Sequence, residues 1–280
     1  MRFTGKTILI TGASLGVGFA TAQRFVAEGA NVVLCARRPG PLHEAAAELD
    51  AEERVLAIPC DVQDNDALAR LVEASVARFG GLDGLVNNAG AHFRGPLESR
   101  SADEIGTMVD VNLRAPLVLT RLALPHLRAG GGGFVVQVAS LAGKLPLDGA
   151  ATYSSTKFGL RAFTYAMAEE LRGTGVTVSA VSPGPIDTGF IMDTLDEVED
   201  IVFSQAMCTA NDVATMVLDC AADGKIERAY PTSGSVLATV GYLVPGLRRM
   251  LKPALNRKGA RAKAKIRQRQ SEAGSGVKPE

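Results

Sequence analysis

The stretch Thr7-Ile8-Leu9-Ile10-Thr11-Gly12-Ala13-Ser14-Leu15-Gly16-Val17-Gly18 decides the fold of this chain. Thr7 to Ile10 is continuously apolar rather than alternating, which marks a short strand covered on both faces, as in a parallel sheet. Glycines spaced GxxxGxG follow at once, and a helix is expected over roughly 16–28. Glycine at such a turn allows a tight bend, a close approach of backbone to a pyrophosphate, and close helix–strand packing. The free N–H groups and dipole of the helix N-terminus favour that anion. Gly12, Ser14, Leu15, Gly16 and Gly18 are therefore candidate nucleotide-binding residues. Plain βα turns also use glycine; the position after the first strand of a βαβ unit gives this one its weight.

Outward from that turn, strand and helix alternate through the first 182 residues. Asn31 to Cys35, Arg54 to Cys60, Gly84 to Val86, Gly133 to Val138 and Val176 to Val181 are further apolar, β-branched runs. Each is separated from the next by a helical stretch with turn residues at its ends. Right-handed crossovers then give an α/β, doubly wound, Rossmann-like parallel sheet with helices on both faces. Residues 1–235 form the expected nucleotide-binding and catalytic domain, 236–271 an apolar-then-basic helical extension, and 272–280 (EAGSGVKPE) a disordered end.

Composition excludes other classes. With 280 residues and 46% hydrophobic side chains the chain buries a core without disulfides. Cys35, Cys60, Cys208 and Cys220 form no CxxC pair and have no His cluster nearby, so no metal site is expected. Met1 to Lys6 run straight into the first strand, and no uninterrupted apolar stretch is long enough to span a bilayer. The expectation is a cytoplasmic protein. The net charge of zero conceals a segregation: residues 1–228 carry 19 basic and 28 acidic side chains, residues 229–280 carry 11 and 2.

The Thr11–Gly18 pattern TGxxxGxG resembles the short-chain dehydrogenase/reductase family, and later motifs extend the resemblance over roughly residues 5–230. Asn87-Asn88-Ala89-Gly90 is similar to the family's NNAG motif, Asn112 to its helix asparagine, and Ser140 to its strand-end serine. Tyr153 lies 13 residues on and heads Tyr153-Ser154-Ser155-Thr156-Lys157, the YxxxK motif; Pro183-Gly184 follows the sixth strand. The resemblance implies nucleotide contacts from Asn87, Ala89, Gly90, Pro183, Gly184, Ile186 and Thr188, with Asp61 and Val62 beside the adenine. A carboxylate at the end of the second strand selects NAD, whereas arginine accommodates a 2′-phosphate. Here Ala36 stands where the acid would be, followed by Arg37 and Arg38, which favours NADP(H) over NAD(H).

Hydride transfer to a carbonyl leaves an alkoxide that needs a proton, and an ordinary tyrosine donates or accepts poorly near neutrality. Tyr153 and Lys157 stand one helical turn apart, where a lysine charge favours the phenolate. By resemblance Tyr153 is the general acid/base, Lys157 lowers its pKa and binds ribose, Ser140 binds the substrate oxygen, and Asn112 holds a relay water. His43 and His126 are expected on exposed helix surface, and His92 is given a bland role ahead of a substrate contact.

The segment Pro185 to about Thr209 is the expected mobile cover. Between Gly173 and Gly224 it shares nine acids and no Lys or Arg, which suits a neutral lipophilic carbonyl or alcohol better than an anion. Val236 to Leu247 is apolar, and Arg248 to Arg269 holds ten cations and no acid. That tail fits a helix packed on its own or a neighbouring subunit, or peripheral contact with an anionic membrane. It has no Trp, Phe or Tyr after Tyr242 on which nucleic-acid bases could stack. The expected activity is NADP(H)-linked interconversion of a ketone or aldehyde and its alcohol, in a homodimer or homotetramer. An acyl-carrier-linked β-ketoacyl reductase, or a non-enzymatic NADP-binding sensor or scaffold, stands as the alternative.

Overall fold

The alternating apolar runs fold as one sheet. In the computed structural model, which describes residues 1–274, seven parallel strands lie in the order β3-β2-β1-β4-β5-β6-β7. They are β1 (Thr7–Thr11), β2 (Asn31–Ala36), β3 (Val55–Pro59), β4 (Gly84–Asn87), β5 (Gly133–Val138), β6 (Val176–Pro183) and β7 (Glu227–Tyr230). The helices between them are α1 (Gly16–Ala27), α2 (Pro39–Glu48), α3 (Asn65–Phe79), α4 (Ala102–Val109), α5 (Ala115–Ala129), α6 (Ala151–Glu170), α7 (Gly189–Met192) and α8 (Ala210–Asp223). Two more, α9 (Thr232–Leu243) and α10 (Pro245–Gly274), follow β7.

Both faces of the central strands are buried, and successive side chains feed two separate cores. Ile8, Ile10, Val32, Leu34, Val86 and Val136 pack with Phe25 of α1 and Val213 and Val217 of α8. Leu9, Val33, Leu85, Val135 and Val178 pack with Leu68 and Leu71 of α3 and Leu119 of α5. This two-sided burial is why the strands are continuously apolar in sequence.

β7 was not among the expected strands. Its four residues, ERAY, are partly exposed on the sheet edge and lack an apolar run. Residues 236–271 fall in α9 and α10 with a break at Val244, and α9 already begins at Thr232. Of the end expected to be disordered, residues 272–274 continue α10 and 275–280 lie outside the described residues. No described helix is long and apolar enough to cross a membrane.

Candidate active site

The strand order reverses between β1 and β4, and such a switch point opens a crevice beyond the carboxyl ends of the strands. The glycine turn borders it. Gly12 has φ +64°, and a Cβ there would press within 3.0 Å of Ala89 and Asn88. Asn88 donates from Nδ2 to the carbonyls of Thr11 (2.9 Å) and Gly12 (3.1 Å), tying the NNAG segment to the turn. Leu15, the N-cap of α1, supplies no side-chain acceptor, so the first N–H groups of this helix stay available to an anion.

A cavity of about 730 Å³ runs outward from this turn. Gly12, Leu15, Gly16, Ala89, Gly90, Pro183, Gly184, Ile186 and Thr188 line it together with Ser140, Tyr153 and Lys157. Ser14, Gly18, Arg37, Arg38, Asp61, Val62, Asn87 and Asn112 stand outside its lining. Gly18 packs so closely on Gly12 that no Cβ fits between them. Arg37 and Arg38 are exposed at the end of β2 and pair with no carboxylate among the described residues. Asp61 caps its own turn, accepting from the Gln63 N–H at 3.0 Å, and Val62 is buried. The Asn87 side chain turns inward to Thr120 and the Pro116 carbonyl of α5.

Ser140 and the α6 pair are held against each other by an unusual hub. Glu227 of β7 pairs with Lys144 (3.1 Å), four residues beyond Ser140, and with Arg161 (2.9 Å), one turn beyond Lys157. It also accepts from Ser182 Oγ (2.7 Å) and Tyr165 Oη (2.8 Å). Burial favours its protonated form, but these donors win and hold the carboxyl at about 2. Gly143 allows the same loop to press on α6, where a Cβ would meet the Lys157 carbonyl at 2.7 Å.

Lys157 is 4% exposed and donates from Nζ to the Val138 carbonyl at 2.9 Å. Burial pulls its pKa down to about 8. Its ammonium lies 5.8 Å from the Tyr153 ring centroid. Burial raises the Tyr153 phenol above its ordinary value; a hydrogen bond with Ser140 and the charge of Arg94 pull the other way. Thus in the nucleotide-free chain the expected depression of Tyr153 is outweighed by desolvation.

Asn112 is fully buried in a widened π-turn, Asp110–Arg114, that joins α4 to α5. Its Oδ1 accepts from Ala91 N–H (2.8 Å) and its Nδ2 donates to the Ala91 carbonyl (2.8 Å) and Thr156 Oγ1 (3.3 Å). The amide is therefore spent on clamping the NNAG loop to α6.

His92 and Arg94 line the cavity; the sequence ranks a bland role for His92 above a substrate contact and does not single out Arg94. The His92 ring stacks on Tyr153 with centroids 4.1 Å apart and planes 11° from parallel. Burial, then the charges of Arg94 and Lys157, hold its pKa at about 3, so the ring is neutral. Arg94 donates to His92 Nδ1 (3.0 Å), which puts the ring proton on Nε2. The same guanidinium donates to Thr194 Oγ1 (3.1 Å) and the Phe190 carbonyl (3.0 Å), fastening the cover segment over the cavity. The only sequence signal was the proximity of both residues to NNAG.

The cover segment has its own small core, Ile191, Leu195, Val198 and Phe203, completed by Ala262 and Ile266 of α10. Two of its acids, Asp196 and Asp200, pair with the tail, while Asp187 and Asp193 line the cavity. Lys263, 6% exposed, reaches the Val198 carbonyl (2.7 Å) and Asp200 (3.6 Å), while Arg267 pairs with Asp196. Arg248 and Lys252 both end on Asp148. The charge segregation of the sequence is thus partly neutralised within one chain.

Comparison with known proteins bears on the family and the fold. Residues 6–199 match the family model for short chain dehydrogenases. The ketoacyl reductase HetN of Nostoc sp. is 40% identical over 193 residues, covering 68% of this chain and 67% of its own. An uncharacterised oxidoreductase of Staphylococcus aureus is 34% identical over 185 residues, 66% of this chain and 80% of its own. The crystal structure of a metagenomic short-chain oxidoreductase in complex with NADP aligns with a TM-score of 0.70 at 32% identity, over 82% of this chain and 98% of that one. By motif order, sheet topology and the extent of these matches, the chain belongs to the short-chain dehydrogenase/reductase family of oxidoreductases.

Proposed function

We propose that the chain interconverts a ketone or aldehyde and its alcohol with NADP(H), on a neutral lipophilic substrate. The observation that carries this reading is one cavity shared by the glycine turn, Ser140, Tyr153 and Lys157. The N-terminus of α1 would hold the pyrophosphate, and the unpaired Arg37 and Arg38 the 2′-phosphate. Asp61 and Val62 would flank the adenine; Asn87, Ala89, Gly90, Pro183, Gly184, Ile186 and Thr188 would border the nicotinamide half. The NADP in the related crystal structure supports the same choice.

When bound, the nicotinamide supplies or accepts the hydride. Tyr153 delivers a proton to the carbonyl oxygen in reduction and removes it in oxidation. Ser140 donates to that oxygen as charge develops. Lys157 binds ribose and restores the Tyr153 proton; because the Asn112 amide is already committed, a water relay from Asn112 would start at its main-chain carbonyl. Apolar lining from Leu145, Leu147, Phe190 and Val202 favours a lipophilic substrate. The name of the Nostoc relative favours a ketoacyl compound, in line with the β-ketoacyl alternative, as the second reading.

NADPH oxidation against neutral ketones, aldehydes and β-ketoacyl thioesters, with Tyr153→Phe in parallel, tests the reading. Turnover that vanishes in the variant supports it. NADPH binding without turnover of any carbonyl turns the interpretation to a nucleotide-binding sensor.

Two partner assignments go with this proposal. The helices carrying Asn112 and Tyr153 would pair in a homodimer or homotetramer, measurable by light scattering. A cytoplasmic chain would also touch an anionic membrane surface through its tail. Val236, Val240, Leu243, Val244 and Met250 are exposed, and Arg249, Arg257, Lys258, Arg261 and Lys265 lack an acidic partner among the described residues. Salt-sensitive co-sedimentation with phosphatidylserine vesicles is expected; none at low salt removes that contact.

A further inference from the structure

We infer that α10 forms the distal wall of the substrate chamber, so that this enzyme accepts elongated carbonyl compounds whose apolar, non-reacting end rests on Leu247, Leu251 and Leu255. The inference deepens the carbonyl-reductase reading and depends on it for the reacting end alone.

These three leucines recur every four residues, which at 3.6 residues per turn sets them along one side of the helix. All three line the cavity that contains Tyr153 and Lys157. Leu145, from the loop beyond Ser140, and Leu237 of α9 line it too. The chamber therefore reaches from the proton donor to a helix that begins 92 residues later in the chain. At the far rim Arg248 and Lys252 share the single carboxylate of Asp148. Both side chains also line the cavity, the Arg248 guanidinium donating to the Pro146 carbonyl at 2.8 Å as well, and the three leucines supply the apolar part of this end.

The wall is rigidly placed. Lys263 is sunk into the cover segment, and Gly259 lies directly on the Asp200 carbonyl with no room for a side chain. The family match stops at residue 199, well before α10, so this wall belongs to the part of the molecule that the shared fold does not specify. A methylene buried against such a wall raises kcat/KM about fourfold as long as the chamber has room.

The chain contains no tryptophan, so one introduced residue reports alone. Leu255→Trp places the fluorophore on the wall, and Ala254→Trp places it on the exposed side of the same helix. Each is titrated, with NADPH present, with butanone and with 2-dodecanone, and wild-type turnover is measured across the straight-chain methyl ketones between them. The expected result is a saturable emission shift for Leu255→Trp with 2-dodecanone only, a silent Ala254→Trp, and kcat/KM climbing about fourfold with each added methylene until the chamber is filled. Tyr153-dependent turnover of 2-dodecanone with a flat length profile and an unmoved Leu255→Trp signal overturns the wall and leaves the reductase reading intact. An emission shift without turnover of any ketone supports the wall and refutes the reductase reading. Absence of both overturns both.

Discussion

Replacing Lys157 with methionine should stabilise the protein against unfolding relative to wild type, and the advantage should shrink as pH rises. Burial lowers the folded-state pKa of Lys157 from 10.5 to about 8, with no carboxylate opposing the shift. At pH 7 both folded and unfolded states hold the proton, so folding bears the full cost of a buried charge. At 1.36 kcal/mol per pH unit that cost is about 3 kcal/mol. Above pH 8 the folded state releases its proton while the unfolded chain keeps it until about 10.5. The unfolded state then binds more protons, and wild-type stability climbs relative to a variant without the group. Methionine fills a similar volume but leaves the Val138 carbonyl without its donor, at about 1–3 kcal/mol. The two effects partly cancel at pH 7, leaving an advantage of about 1 kcal/mol for the variant. The pH-dependent part does not cancel: the stability difference should move by about 2 kcal/mol toward wild type between pH 7 and pH 9.5. Urea unfolding of both nucleotide-free proteins at the two pH values measures it. Parallel pH profiles would refute the claim that the site stores an uncompensated buried ammonium.

Gly259→Ala should destabilise by about 1–3 kcal/mol, although Gly to Ala inside a helix ordinarily stabilises by about 1 kcal/mol. A Cβ there would overlap the Asp200 carbonyl oxygen, its nearest neighbour, so α10 must move off the cover segment to admit it. A raised melting temperature contradicts the packing. Glu227→Gln should cost about 1–3 kcal/mol at neutral pH, because two partly buried cations lose their counter-charge. The depressed pKa of Glu227 means that this stability is present above about pH 4.5 and lost as pH falls toward 2, so the gap between variant and wild type should close in acid. Arg37→Asp combined with Arg38→Ala should weaken NADPH binding at least tenfold and improve NADH, read by titration of each; unchanged preference would place the 2′-phosphate elsewhere.

What was legible in the sequence divides along a physical line. The β1 turn, the YxxxK helix and the two-sided sheet were readable because each is local: a run of neighbours specifies strand, turn or helical spacing. Glu227 was invisible because its importance comes from Lys144, Arg161, Tyr165 and Ser182, which only the folded sheet edge gathers. β7 was missed for the same reason, since an edge strand needs no apolar run. The widened turn at Asn112 carries no residue signature, and His92 looked isolated until Tyr153 came to lie 4.1 Å beneath it. The charge imbalance between body and tail was plain, but its division between paired and unpaired cations depends on which side of α10 each residue occupies. The acids of the cover segment suggested selection against anionic substrates; in the fold Asp196 and Asp200 are engaged by Arg267 and Lys263.

The dependence of the cover segment on α10 also sets an order of events during synthesis. Chains emerge N-terminus first, and a unit folds once its own contacts are available. The sheet through β7 is complete in sequence before α10 is made, so Ser140, Tyr153 and Lys157 can come together before that helix exists. Ile191, Leu195 and Phe203 then wait without Ala262 and Ile266, exposed to whatever apolar surface lies nearby. A nascent chain halted before Leu255 would carry the complete proton-transfer machinery beside a chamber open at one end. The cover segment thus gains its last core contacts only after α10 has been made, later than the elements that carry the proton-transfer residues.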